Sequence, residues 1–220
     1  MSLSLVTGAN RGVGLALVRG LAAKGGTVIA AARSGAPEGA GIEPMRLDVR
    51  SESDLAALSA ALEGRGLDLL VCNAGVAKGR GAIDDPTIDM ASFDETFAVN
   101  VTGVFFTVRA CLPALRRAKG RVAVISSQMG SSARAKAGSF SYRASKAAAT
   151  NLAVTMARAL APEGIAIGAY HPGWVRTDMG GSTADISVEE SAAGLIARFE
   201  ELGVETAGCF RFYSGEDIPF

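Results

Sequence analysis

The chain has 220 residues, is 49% hydrophobic, and carries 22 basic and 22 acidic residues, so its formal charge is zero. This balance provides no basic surface for nucleic acid, and no apolar run reaches the roughly eighteen residues that cross a bilayer, so we expect no nucleic acid and no membrane as partners. The three cysteines, Cys72, Cys111 and Cys209, fit neither a metal-site spacing nor a disulfide framework, which is typical of a reduced, cytoplasmic protein without a metal site.

Short apolar runs alternate with longer helix-like segments along the chain. The predicted strands are residues 3–7, 27–31, 45–47, 69–72, 121–126, 165–170 and 208–213, and the predicted helices are residues 14–24, 53–62, 90–117, 142–160 and 188–202. Most strand segments are continuously apolar, as expected for parallel strands that are covered on both faces. We therefore predict a single α/β domain over residues 1–220, a doubly wound parallel sheet of Rossmann type with about seven strands flanked by helices.

Three glycines lie where the first strand meets the first helix. Gly8, Gly12 and Gly14 have the spacing Gly-x3-Gly-x-Gly at the carboxyl end of that strand, which is where doubly wound sheets bind ligands. Glycines there allow a tight turn and a close approach to a pyrophosphate, which the helix N-terminus also attracts. An ordinary glycine-rich turn is the alternative, but the flanking strand and helix favour a dinucleotide site.

The residues around the second strand indicate which dinucleotide binds. A carboxylate usually follows this strand when the cofactor lacks a 2′-phosphate, because it binds the ribose hydroxyls. Residues 28–36 contain no acid but include Arg33, and Arg11 lies inside the glycine loop. Two guanidinium groups near the ribose favour a 2′-phosphate, so we expect NADP(H) to be preferred over NAD(H). The alternative is that both arginines are solvated surface residues.

A tyrosine and a lysine lie four residues apart in the segment YRASK, at Tyr142 and Lys146. This spacing places both side chains on one face of a helix. A free tyrosine has a pKa near 10, and a nearby ammonium favours the phenolate and lowers that pKa, which gives a usable acid or base. The alternative is a surface lysine beside a buried tyrosine.

Further segments, in a fixed order, resemble the motifs of the short-chain dehydrogenase/reductase family over nearly the whole chain. They are TGANRGVG at 7–14, LDV at 47–49, NAG at 73–75, NVTG at 100–103, ISSQMG at 125–130 and HPGWVRTDM at 171–179. The short stretch after Met179 and the ending CFRFYSGEDIPF are similar to the compact branch with C-factor-like proteins and small carbonyl reductases.

The resemblance implies a catalytic group of Asn100, Ser127, Tyr142 and Lys146. Tyr142 would donate a proton to the alkoxide that hydride transfer forms from a carbonyl, and Ser127 would hydrogen-bond the same oxygen. Lys146 would bind the nicotinamide ribose and keep the pKa of Tyr142 low, while Asn100 would hold a water that links the lysine to solvent. The choice of Ser127 over Ser126 depends on motif spacing alone.

The same resemblance implies the cofactor contacts and the substrate class. The contacts are Gly8, Asn10, Arg11, Gly12, Val13, Gly14, Arg33, Asp48, Val49, Asn73, Ala74, Gly75, Tyr142, Lys146, Pro172, Gly173, Val175 and Thr177. Asp48 would meet the adenine and Val49 would line its slot, while the Val175 backbone and the Thr177 hydroxyl would contact the nicotinamide amide. The substrate would be a small molecule with a carbonyl group or a secondary alcohol. The short stretch in place of the usual long lid implies an open or loosely defined pocket.

Several alternatives stay open at this point. His171, the only histidine, precedes a proline at a strand end, which favours a structural role over a proton shuttle. Trp174 and Phe140 could line the substrate pocket or simply pack. The family resemblance implies a homodimer or homotetramer. A dinucleotide-binding signalling or sensor protein with little turnover is the second function, although the joint presence of four catalytic residue types favours an enzyme.

Overall fold

The structure is a computed structural model that describes residues 2–79 and 81–220. Within these residues, seven parallel strands form one sheet with the order β3-β2-β1-β4-β5-β6-β7. The strands are β1 (Leu3–Thr7), β2 (Thr27–Ala32), β3 (Ile42–Arg46), β4 (Leu69–Cys72), β5 (Arg121–Ile125), β6 (Ala166–His171) and β7 (Phe210–Phe212). The predicted doubly wound parallel sheet is confirmed, and its strand order reverses between β1 and β4.

Helices cover both faces of this sheet. They are α1 (Gly12–Ala23), α2 (Glu52–Ala61), α3 (Met90–Phe97), α4 (Gly103–Ala118), α5 (Phe140–Leu160) and α6 (Val188–Glu201). Side-chain caps define several helix starts. Ser51 accepts a hydrogen bond from the Asp54 N–H at the start of α2, and Ser187 accepts one from the Glu190 N–H at the start of α6.

Alternate residues of each strand enter two separate cores. Leu5 of β1 packs on the face covered by α2, α4 and α5, whereas its neighbour Val6 packs on the face covered by α1 and α6. The second face also buries Leu17 of α1 and Phe199 of α6. This two-sided burial is why the strand segments are continuously apolar.

The predicted helix over residues 90–117 is not one regular α-helix. A π-helical turn, Ala98–Thr102, separates α3 from α4. The turn buries Asn100, and Gly103 follows it where a Cβ would lie only 2.7 Å from Val49 Cγ2. Turns of this type are frequent at functional sites, and the apolar periodicity on either side does not reveal them.

The continuous helix Met90–Ala118 also corrects an expectation about membranes. By length and composition it is long and apolar enough to cross a bilayer, with a mean hydropathy of 1.5 over its most apolar window. The expectation that no stretch of the chain reaches this threshold is therefore wrong. Half of the window is buried against the rest of the chain, as in a core helix.

Several other predicted boundaries differ from the structure, by three residues at the start of β3 and by one or two residues elsewhere. β3 runs from Ile42 to Arg46, so the prediction at residues 45–47 included only its end. Pro44 lies inside this strand and lowered its apparent strand propensity, but β3 is at the edge of the sheet, where proline is tolerated. α5 begins at Phe140, two residues before the predicted start.

Candidate active site

A cleft of about 1000 Å³ opens at the carboxyl ends of the strands, at the point where the strand order reverses. All the residues predicted to bind the cofactor line it. Of the four predicted catalytic residues, Ser127, Tyr142 and Lys146 line the cleft, whereas Asn100 lies buried behind its wall. The sequence positions named above are therefore gathered in one place.

The glycine loop forms a cradle that a side chain would fill. Gly8 and Gly12 have φ angles of 66° and 54°, in the left-handed region that favours glycine. A Cβ on Gly14 would lie 2.2 Å from the Gly8 carbonyl oxygen. α1 begins at this loop with no side-chain cap and no acid in its first turn, so its N–H groups can bind an anion.

The segment after β4 is tied to the glycine loop. The Asn73 amide Nδ2 donates hydrogen bonds to the carbonyl oxygens of Thr7 (2.9 Å) and Gly8 (3.1 Å). In return, the Thr7 hydroxyl accepts hydrogen bonds from the backbone N–H groups of Asn73 and Ala74. These bonds hold the two neighbouring strand ends together at the floor of the cleft.

One end of the cleft contains a carboxylate that a neighbouring arginine holds. Asp48 accepts hydrogen bonds from Arg50 Nε (3.0 Å) and Nη2 (2.7 Å). The Arg50 guanidinium, with a smaller effect of Arg33, lowers the pKa of Asp48 to about 2. Arg33 lines the same end and makes no ion pair with the residues that the structure describes. Sequence reasoning missed Arg50, and its position two residues after Asp48 was the available signal.

Tyr142 and Lys146 project from one face of α5 into the other end of the cleft. The Lys146 Nζ lies 5.7 Å from the centre of the Tyr142 ring and donates a hydrogen bond to the Ile125 carbonyl oxygen at 2.7 Å. Lys146 is only 5% exposed. Burial lowers the pKa of its ammonium to about 8.

The two serines after β5 have different surroundings. The Ser126 hydroxyl donates to the Lys146 carbonyl oxygen (3.1 Å) and lies 2.6 Å from the Thr150 hydroxyl, so it is bound to α5. The Ser127 hydroxyl accepts a hydrogen bond from the Met129 N–H, and Ser127 lines the cleft, as Tyr142 does. This arrangement favours Ser127 as the serine that meets a ligand.

The segment after Ser127 contacts α5 directly. A Cβ on Gly130 would lie 2.6 Å from the Lys146 carbonyl carbon, so only glycine allows the two backbones to come this close. Asn100 braces the same helix from the other side. Its amide exchanges two hydrogen bonds with the Val76 backbone and donates a third to the Ser145 hydroxyl. The Asn100 side chain is therefore occupied by protein groups.

The loop after β6 forms the remaining wall. Its Thr177 hydroxyl accepts a hydrogen bond from the Gly180 N–H, and the Trp174 indole donates one to the Gly180 carbonyl oxygen. Trp174 lines the cleft and is 48% exposed, whereas Phe140 does not line it. Arg11, which is predicted to bind the cofactor, lines the cleft and donates to Asp178 of this loop at 2.5 Å.

His171 lies at the base of this loop and is 6% exposed. Its ring packs edge-on against Phe212, with 5.4 Å between the ring centres. Burial, with Arg134 and Lys146 nearby, lowers the pKa of His171 to about 4, so the imidazole is neutral at pH 7. Its Nδ1 has no hydrogen-bond partner among the described residues. These contacts agree with a packing role at the cleft floor.

A family model described as short chain dehydrogenase matches residues 3–186. The Myxococcus xanthus protein C-signal is 38% identical over 156 residues, which are 70% of this chain and 93% of that protein. A 1-hydroxy-2-glutathionyl-2-methyl-3-butene dehydrogenase from Rhodococcus is 33% identical over 227 residues and 98% of each chain. The NADPH-bound carbonyl reductase from chicken fatty liver has a TM-score of 0.90 and 30% identity, over 100% of both chains.

Proposed function

Because this chain belongs to the short-chain dehydrogenase/reductase family, we propose that it transfers hydride between NADP(H) and a carbonyl compound or secondary alcohol. Family membership confirms the resemblance drawn from the motifs and makes the protein an oxidoreductase that uses a nicotinamide cofactor and a small-molecule substrate. The proposed reaction rests mainly on one observation. Tyr142, Lys146 and Ser127 all line a single cleft that is large enough for a dinucleotide. We place both binding sites in one domain over residues 1–220.

The residues of the cleft fit a dinucleotide. The glycine cradle excludes side chains, the start of α1 is uncapped, and basic groups lie at the opposite end from Tyr142. Gly12, Val13 and Gly14 would hold the pyrophosphate, and Val175 with Thr177 would hold the nicotinamide amide. The cofactor, when bound, supplies or accepts the hydride.

Three features of the chain support a preference for NADP(H). No acid follows β2, Arg33 makes no ion pair with the described residues, and the Asp48 carboxylate is bound by Arg50 rather than directed to a ribose. The similar chicken carbonyl reductase was solved with NADPH. A guanidinium that makes no ion pair with the described residues is suited to bind a 2′-phosphate through charge-assisted hydrogen bonds.

The chain's own residues would handle the proton. The Tyr142 hydroxyl would protonate the developing alkoxide, and the Ser127 hydroxyl would donate a hydrogen bond to the same oxygen. The Lys146 ammonium, buried beside the Tyr142 ring, would stabilise the phenolate that remains. Asn100 would fix the position of α5 relative to the segment after β4. Its role in holding a water stays a prediction.

The test is NADPH consumption with a panel of aldehydes, ketones and quinones. Tyr142→Phe should retain NADPH binding, followed by nicotinamide fluorescence, but should lose at least about 100-fold in turnover. Tyr213→Phe is the matched control, because its hydroxyl contacts Glu190 and the residue does not line the cleft. Full turnover by Tyr142→Phe would contradict the proton-donor role.

A signalling or sensor function is the second candidate, because the chain is 38% identical to C-signal. Tight NADPH binding by the wild-type protein without turnover of any carbonyl in the panel would favour this candidate over a reductase.

We also propose a homodimer or homotetramer in the cytoplasm. Phe105 and Phe106 on α4 are each 40% exposed and pack edge-on, so they form an apolar patch that a second subunit could cover. Light scattering after gel filtration measures the subunit number, and a monomer at all concentrations would contradict the proposal.

A further inference from the structure

An ion pair connects the two loops that flank the cleft. Arg11 of the glycine loop donates to the Asp178 carboxylate of the loop after β6, with Nη1 and Oδ2 2.5 Å apart. The neighbouring residues also meet, since a Cβ on Gly12 would lie 3.3 Å from Thr177 Cγ2. Both charged residues line the cleft. The Arg11 guanidinium is therefore directed across the cleft to a protein anion.

Asp178 is the acid in the cleft that can compete with a cofactor phosphate for Arg11, because the other acid described there is already paired. Among the described residues that line the cleft, the acids are Asp48 and Asp178. Asp48 is bound by Arg50, as described above. The guanidinium of Arg176 is likewise occupied, because it donates to two backbone carbonyl oxygens of its own loop.

We propose that Asp178 is a specificity-determining residue, whose carboxylate competes with the cofactor 2′-phosphate for Arg11. This inference rests on the proposed binding of NADP(H) in the cleft. A phosphorylated cofactor recruits Arg11 only by breaking the pair with Asp178. A cofactor without the 2′-phosphate leaves the pair intact. Asp178 therefore reduces the selectivity for NADP(H) that Arg11 and Arg33 would otherwise give.

The experiment measures dissociation constants of NADPH and NADH for the wild-type protein and for Asp178→Asn. Both partners are more than 70% exposed at their side chains, so the pair is a surface ion pair of modest strength. Asp178→Asn should therefore bind NADPH about two- to five-fold more tightly, with NADH binding unchanged. Asp185→Asn is the matched control, because it removes the same charge from an exposed position of the same loop outside the cleft lining.

A double-mutant comparison isolates the competition. In an Arg11→Ala background, Asp178→Asn should no longer change NADPH binding. Unchanged or weaker NADPH binding by the single variant would overturn the proposal, because Asp178 would then be neutral or would orient Arg11 for the phosphate.

Adenosine 2′,5′-bisphosphate and AMP serve as probes that separate this proposal from the preference for NADP(H). If the wild-type protein prefers NADH, the proposed cofactor preference fails. Tighter binding of the bisphosphate, but not of AMP, by Asp178→Asn would still support competition at Arg11. An equal effect on both probes would overturn it.

Discussion

Replacing Lys146 with methionine should stabilise the protein at neutral pH, although we expect it to impair turnover. The lysine is buried, and its pKa falls from 10.5 to about 8 because the ammonium loses solvent. At 1.36 kcal/mol for each pH unit, this fall corresponds to about 3 kcal/mol of native-state destabilisation. Methionine has a similar length and no charge, but it leaves the Ile125 carbonyl oxygen without its 2.7 Å hydrogen bond, which costs about 1 kcal/mol. The expected net gain at pH 7 is about 2 kcal/mol.

The sign of the pH dependence follows from the lowered pKa of Lys146. Below pH 8 the lysine is protonated in both the folded and the unfolded state, so the full destabilisation is present. Between pH 8 and 10.5 the folded protein releases its proton first, and the destabilisation fades. The advantage of Lys146→Met in free energy of unfolding should therefore be largest below pH 8. It should reach zero before pH 10.5 and then reverse, because the cost of about 1 kcal/mol for the lost hydrogen bond remains.

Urea unfolding at several pH values between 7 and 10.5, followed by circular dichroism, measures this difference. Other buried groups change the stability with pH in the opposite sense, such as Cys72, whose pKa burial raises to about 12. Their contributions cancel when the variant is compared with the wild type at each pH. Lys136→Met is the control, because Lys136 is exposed. A variant less stable than the wild type at pH 7, or a stability difference that does not change with pH, would refute the reasoning.

Three further predictions concern cofactor choice, acid stability and the glycine cradle. Arg33→Ala should weaken NADPH binding at least about ten-fold with NADH binding nearly unchanged in fluorescence titrations, and equal losses would contradict its phosphate-binding role. His171 has a pKa of about 4, below its ordinary 6.5, so it destabilises the folded state fully below pH 4 and not above pH 6.5. His171→Asn should therefore flatten the fall in melting temperature from pH 6.5 to 4, and parallel curves would contradict this. Gly14→Ala should abolish dinucleotide binding because of the 2.2 Å contact with the Gly8 oxygen, whereas Gly203→Ala, with open space around it, should bind normally.

The features that were predictable from sequence are those that local patterns determine. Continuous apolar runs identified the strands because both faces of the sheet are covered, and the glycine spacing identified the loop because its φ angles and its close contacts require glycine. Several motifs follow predicted strands. Because parallel strands all end at the same edge of the sheet, these distant segments are expected to meet in one cleft.

The remaining features depend on packing between distant segments. Arg11 and Asp178 are separated by 167 positions, and neither residue's local sequence indicates that they pair. The π-helical turn at Ala98–Thr102 is equally hidden, because an apolar pattern at helical spacing continues on both sides of it. Pro44 lowers the apparent strand propensity of the β3 segment. β3 tolerates this proline because it lies at the edge of the sheet, and only the strand order reveals that position.

The direct backbone contact at Gly130 has a consequence for how the protein responds to its ligands. With no side chain between the segment after β5 and α5, the groups expected to deliver the proton have little room to shift relative to one another. Structures obtained with and without cofactor should therefore superimpose closely along this half of the active site. Any rearrangement on cofactor binding should be concentrated on the opposite wall of the cleft, in the loop after β6.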